Sequence, residues 1–194
     1  MSDTIDKYMW LIKKIYSLLI DAAQTILLAV SVFVVIYIFL LRPFQVSGDS
    51  MFPNFYDKEY VLTNIIGLRF EKPKLGDVVV FKSPTNPDKD FIKRIIGVSG
   101  DEVYIKDGDL YVNSKKLDQS KFLESNVKTY GGGFIKEGQS VSVPEHSYLV
   151  MGDNRPLSSD SREWGFVKES DILGTSFFVY LPLDRIRVIK NPYN

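Results

Sequence analysis

The sequence has no cysteine, a single histidine and no excess of either charge, and each absence removes a class of function. Without cysteine there are no disulfides, thiolate nucleophiles or zinc ribbons, and the redox compartment is left open. His146 stands alone, which excludes the usual imidazole-rich metal sites and leaves it as the one residue that could complete a histidine triad. Lysine plus arginine and aspartate plus glutamate each number 24, so no basic surplus points to nucleic acid and no acidic tail to a basic partner. What the chain does have is apolar material: 45% of its 194 residues are hydrophobic, enough for one ordinary domain and an anchoring segment.

From Ala22 to Leu41 no residue is charged. As a helix this run would cover roughly 30 Å, the thickness of a bilayer core. A buried helix of a soluble protein would alternate apolar and charged faces, whereas here Gln24, Thr25 and Ser31 are the only relief. A cleaved export leader would have a shorter apolar stretch ending in small residues, and this one ends in Leu41-Arg42-Pro43-Phe44. The expected organisation is therefore an N-terminal segment 1–21, a transmembrane helix 22–41 and a domain 42–194. Lys7, Lys13 and Lys14 precede the run and only Arg42 follows it closely, which places the N-terminus in the cytoplasm and the domain outside. Ile5, Tyr8, Met9, Ile12, Ile15 and Tyr16 recur at helical spacing, so the segment before the anchor either lies in the interface or extends the helix.

Past Arg42 the pattern changes to short apolar runs separated by turn residues: Asp77 to Phe81, Phe91 to Val98, Glu102 to Ile105, Leu110 to Val112, Ser147 to Met151 and Ser176 to Tyr180. Asp107-Gly108 between two of them is a hairpin signal. Gly131 to Gly133 lacks the following helix and Lys-Ser/Thr of a phosphate cradle. The fold class expected is mainly β: an antiparallel β-sandwich or barrel carried on one N-terminal transmembrane helix.

Three polar segments could carry chemistry. Ser47-Gly48-Asp49-Ser50-Met51-Phe52-Pro53 sets a serine in a turn-forming loop. A Gly-Asp-Ser lipase would need Asp-x-x-His, but Val143 stands where the aspartate should be, and no strand-turn-helix elbow surrounds the serine. In Asp90-Phe91-Ile92-Lys93-Arg94-Ile95-Ile96-Gly97, read as a strand, Lys93 shares a face with Phe91 and Ile95 while Arg94 faces the other way. Either Lys93 guards a strand edge with its head in water, or it is buried and becomes a base, since burial disfavours the ammonium and a neutral amine can deprotonate a serine. The third segment, Gly152 to Gly165, is dense in hydrogen-bonding side chains and lacks the alternating carboxylates of a calcium loop.

Together with the anchor these segments resemble the type I signal peptidase family. Ser50 to Pro53 matches its Ser-Met-x-Pro motif, Gly76-Asp77-Val78-Val79-Val80-Phe81 its Gly-Asp-x-Val-x-Phe strand, Lys93-Arg94 with Gly97, Gly100 and Asp101 its lysine motif, and Gly152 to Gly165 its Gly-Asp-Asn motif. The resemblance runs from the anchor to about Leu183, with little of it in residues 1–20 or 115–142. It implies Ser50 as nucleophile and Lys93 as general base, Ser158 hydrogen-bonded to the lysine amine, and Gly48, Asp160 and Arg162 supporting the site. Phe44, Gln45, Val46, Met51, Asp90 and Ile92 match positions lining the family's substrate groove. It further implies secretory precursors as partners, the bilayer as environment, and neither metal nor cofactor. Two departures stand out: Asn54-Phe55 replaces the family's Thr-Leu and is expected to reshape a wall of the cleft, and Gly48 replaces a serine that donates to the oxyanion in some members. Competing readings are a Ser-Lys self-cleaving regulator and a catalytically dead tethered domain that only binds export substrates.

Overall fold

The structure, a computed structural model, describes residues 2–39, 41–124 and 126–194, and it divides into two units, 1–40 and 41–194. Leu40, expected in the anchor, lies outside the described residues.

The first unit is one helix, α1 (Ser2–Phe39). Its apolar stretch Tyr8–Val35 is long enough to cross a membrane, and its side chains are exposed all round. The polar residues in this stretch are partly neutralised within the helix: Thr25 Oγ1 donates to Asp21 O and Ser31 Oγ to Leu27 O, each at 2.8 Å. The helix thus starts well before Ala22, as the helical spacing of the preceding apolar residues allows. It also stops short of Leu41, where the following Pro43 favours extended backbone.

Among its described residues the second unit has twelve strands: β1 (Leu41–Gln45), β2 (Tyr60–Asn64), β3 (Val78–Lys82), β4 (Asp90–Gly97), β5 (Glu102–Lys106), β6 (Asp109–Val112), β7 (Lys115–Lys116), β8 (Ser140–Ser142), β9 (Ser147–Met151), β10 (Val167–Lys168), β11 (Ile172–Leu181) and β12 (Arg187–Val188). A one-turn helix, α2 (Ser161–Trp164), lies between β9 and β10. Every pairing is antiparallel. The larger sheet runs β1-β2-β11-β3-β4-β9-β10 with β12 attached to β11, and the smaller runs β7-β6-β5-β8.

Central strand β3 shows why these residues make this sheet. Val78 and Val80 join a core with Val46, Met51, Phe55 and Val61, while Val79 and Phe81 join a second core with Ile95 and Val150. Both faces are covered, so the strand reads as an unbroken apolar run rather than an alternating one. A third core joins Ile96 of β4 and Leu149 of β9 to the inward side chains of β5 and β6. At the expected β5–β6 hairpin, Asp107 and Gly108 have φ of +56° and +78°, the left-handed pair such a two-residue turn requires. Strand β2 gave no clear signal because its inward face carries Thr63, whose hydroxyl is satisfied across the sheet by Ser176 at 3.0 Å.

Candidate active site

Ser50 sits in the connection between β1 and β2. The neck of this loop is closed by Val46 N donating to Glu59 O at 2.8 Å and Lys58 N to Val46 O at 2.9 Å. At Gly48 the backbone turns with φ +82°, a region L side chains avoid, and its N–H donates to Asp57 Oδ1 at 2.8 Å. Met51 and Phe55 plug the loop into the core beneath. From the far side, Asn154 donates its backbone N–H to Ser50 O and its side-chain amide to Asp49 O, both at 3.0 Å.

Lys93 comes from β4, opposite Val79 of β3, and is 4% exposed. Its Nζ donates to Ser50 Oγ at 2.6 Å and to Ile92 O at 3.0 Å, and it lies 5.3 Å from the Phe91 ring centroid. Burial pulls its pKa from 10.5 down to about 8, against the opposing pull of the Asp160 and Asp153 charges. This is the buried alternative for Lys93, and the edge-guard reading fails.

The neighbouring Arg94 points to the opposite face, as strand geometry dictates, and forks onto Asp153 with Nε to Oδ1 at 2.9 Å and Nη2 to Oδ2 at 2.7 Å. A second buried fork joins Arg162 to both oxygens of Asp160 at 2.8 and 2.9 Å. Burial alone would raise the Asp160 pKa, but the hydrogen bonds and charge of Arg162, with the Gly152 N–H at 3.0 Å, hold it below the usual carboxylate value. Asp160 also caps α2.

A groove of about 270 Å³ opens over Ser50 and Lys93, and Phe44, Gln45, Val46, Asp90 and Ile92 line it as expected. Met51 does not: it is fully buried below the groove floor, because the residue after Ser50 turns inward. Ser158 also departs from expectation. The amine spends its hydrogen bonds on Ser50 and Ile92 O, while the buried Ser158 Oγ sits beside the Asp160 carboxylate, whose pKa it helps to hold down. It also lies against Gly152, where an added Cβ would be 2.2 Å from Ser158 Oγ and 2.3 Å from Ser50 O. Asn54 and Phe55 do not shape the cleft. Asn54 donates to Phe122 O and to Asp153 Oδ2, and Phe55 belongs to the core. His146 is exposed and bonds to Glu169, apart from the groove. No group of three or more histidine, aspartate or glutamate side chains among the described residues could hold a metal ion.

Sequence reasoning gave no role to Asn154, Gly152 or Asp57. The first two lie inside the matched Gly-Asp-Asn motif; Asp57 carries no local signal, since its task arises only when the loop closes.

The family model for "Signal peptidase, peptidase S26" matches residues 19–181. The chain belongs to this signal peptidase family. Signal peptidase IB of Staphylococcus aureus strain MRSA252 is 38% identical over 176 residues, covering 84% of this chain and 91% of that protein. Signal peptidase I of Bacillus amyloliquefaciens is 36% identical over 177 residues, covering 90% of this chain and 94% of that one. A crystal structure of a signal peptidase I from Enterococcus faecalis V583 is 32% identical and aligns over 54% of this chain and 97% of its own, with a TM-score of 0.43. As a member of this family the chain is a peptidase, and its long apolar helix is compatible with anchoring in a membrane.

Proposed function

We propose that the chain is a membrane-bound serine endopeptidase that removes N-terminal signal peptides from exported proteins, cleaving after small residues. The observation that carries this reading is the 2.6 Å contact between Ser50 Oγ and a lysine amine buried at the floor of a peptide-sized groove. The alternatives, a tethered binding domain or a self-cleaving regulator, leave either that contact or the membrane anchor without purpose.

In the reaction, neutral Lys93 accepts the Ser50 hydroxyl proton as Oγ attacks the scissile carbonyl. The resulting ammonium protonates the departing amine, the mature protein leaves, and an acyl-enzyme remains. Lys93 then takes a proton from water, which attacks the ester, and the proton returns to Ser50 as the signal peptide is released. With glycine at position 48, backbone N–H groups including that of Ser50 stabilise the oxyanion. Asp160 and Arg162 brace the turn that abuts the nucleophile. No cofactor enters.

Incubating the purified chain in detergent with a precursor whose signal peptide ends in a small-x-small sequence should release a mature protein whose N-terminus follows the second small residue. Replacing that residue by a bulky one should block cleavage by exclusion from the groove. Equal cleavage of both precursors would count against the reading.

The bias of Lys7, Lys13 and Lys14 against Arg42 supports a cytoplasmic N-terminus with the catalytic unit outside the cytoplasmic membrane. Protease added to intact cells with a permeable outer layer should then digest residues beyond Arg42 and spare the N-terminus. The reverse pattern would invert the topology.

A further inference from the structure

Arg155 is the deepest cation of the site, 2% exposed, in the turn Arg155–Leu157 just before Ser158. Among the described residues its guanidinium donates to two acceptors: Nε to Gly152 O at 3.1 Å, and Nη1 to the hydroxyl of Thr129, while Nη2 has no partner. Burial lowers its pKa to about 10, with the Asp153 and Asp160 charges resisting, so it remains a cation at neutral pH. A buried cation with two partners depends heavily on each.

Thr129 is itself fully buried and held by its own N–H, which donates at 2.9 Å to Gly108 O, the turn glycine of the β5–β6 hairpin. The other end of the path is the nucleophile. The Gly152 carbonyl is gripped by Arg155, its N–H donates to Asp160, and its Cα presses so closely on Ser50 O that no side chain fits there. One hydroxyl in the connection between β7 and β8 is thereby tied, through one guanidinium and one glycine, to the backbone of Ser50.

We propose that Thr129, which lies outside every recognisable motif, is a positioning residue for the nucleophile, fixing Ser50 through Arg155 and Gly152. The proposal rests on the reading of Ser50 as nucleophile. A purely structural threonine would affect unfolding but not turnover; a positioning one affects turnover while leaving the groove, and so substrate affinity, intact.

Thr129→Val keeps the shape and removes the acceptor, Thr129→Ser keeps the acceptor, and Thr129→Cys keeps the shape with a poor one. Each full-length variant is assayed in detergent well below its unfolding midpoint. Thr129→Val should lower kcat by about tenfold to a hundredfold, the scale of a nucleophile displaced by roughly an ångström, with KM nearly unchanged. Thr129→Ser should restore kcat close to the parent value. Should Thr129→Val fail to fold, Thr129→Cys against Thr129→Ser gives the same comparison. An unchanged kcat in the valine variant, or equal kcat in the serine and cysteine variants, would overturn the proposal alone. A parent chain unable to cleave would overturn it together with the role of Ser50.

Discussion

Ser50→Ala and Lys93→Ala will each reduce precursor cleavage by roughly 10⁴-fold or more, and the double variant will be hardly worse than either single one. The expectation follows from one short contact. Ser50 supplies the electrons and Lys93 removes the proton that accompanies them, so neither side chain acts without the other. Two independent contributions would multiply instead, and additive losses in the double variant would show that Lys93 acts elsewhere than on Ser50. Ser158→Ala should be far milder, since its hydroxyl makes no bond to the amine. Thermal unfolding of each variant separates lost chemistry from a lost fold.

Cleavage should also climb with pH, close to tenfold per unit below about 8, and level off above it, because the neutral amine is the active form and Lys93 titrates near that value. Lys93→Arg should be inactive throughout, since guanidinium stays charged. A profile that levels off well below 8 would count against Lys93 as the base, and His146→Ala, expected to remain active, tests the lone histidine independently. The same burial acts on stability. Below about 8 both folded and unfolded chains carry the Lys93 proton, and the folded chain bears the full cost of burying it. Between about 8 and 10.5 the unfolded chain holds more of that proton, so this cost is relieved and stability rises with pH across the window. The drop from 10.5 to about 8 corresponds to roughly 3 kcal/mol. At neutral pH, Lys93→Met should therefore unfold at a higher temperature than the parent while cleaving nothing. A lower midpoint would mean that the bonds of Lys93 to Ser50 and Ile92 outweigh the burial cost.

How far the sequence discloses this arrangement depends on how local each feature is. The apolar run at β3 and the Asp107-Gly108 turn are encoded within a few residues, and both emerged where expected. Strand periodicity likewise separated Lys93 from Arg94 onto opposite faces. Met51 was placed in the groove by resemblance alone, and in a loop no alternation of strand residues was there to show that it turns inward. The polar core was the hardest to read: Arg94, Asp153, Thr129 and Arg155 look like surface residues in composition, and their burial makes sense only once partners remote in sequence are present. Neither Thr129 nor Asp57 belongs to a motif, and each bonds to a residue that only folding brings near.

Among the described residues, β1 ends the larger sheet with β2 on one side and no strand on the other, and β4 pairs with β9 only from Arg94 onward, so Asp90 to Lys93 has one edge without a strand partner. Both open edges belong to strands that line the groove. An extended peptide laid in the groove between β1 and β4 could pair with either open edge. Most of the grip would then come from main-chain groups that every residue possesses, leaving only the narrow ground beside Ser50 to ask what side chain is present. Such a lock would tolerate almost any key blank and check a single notch.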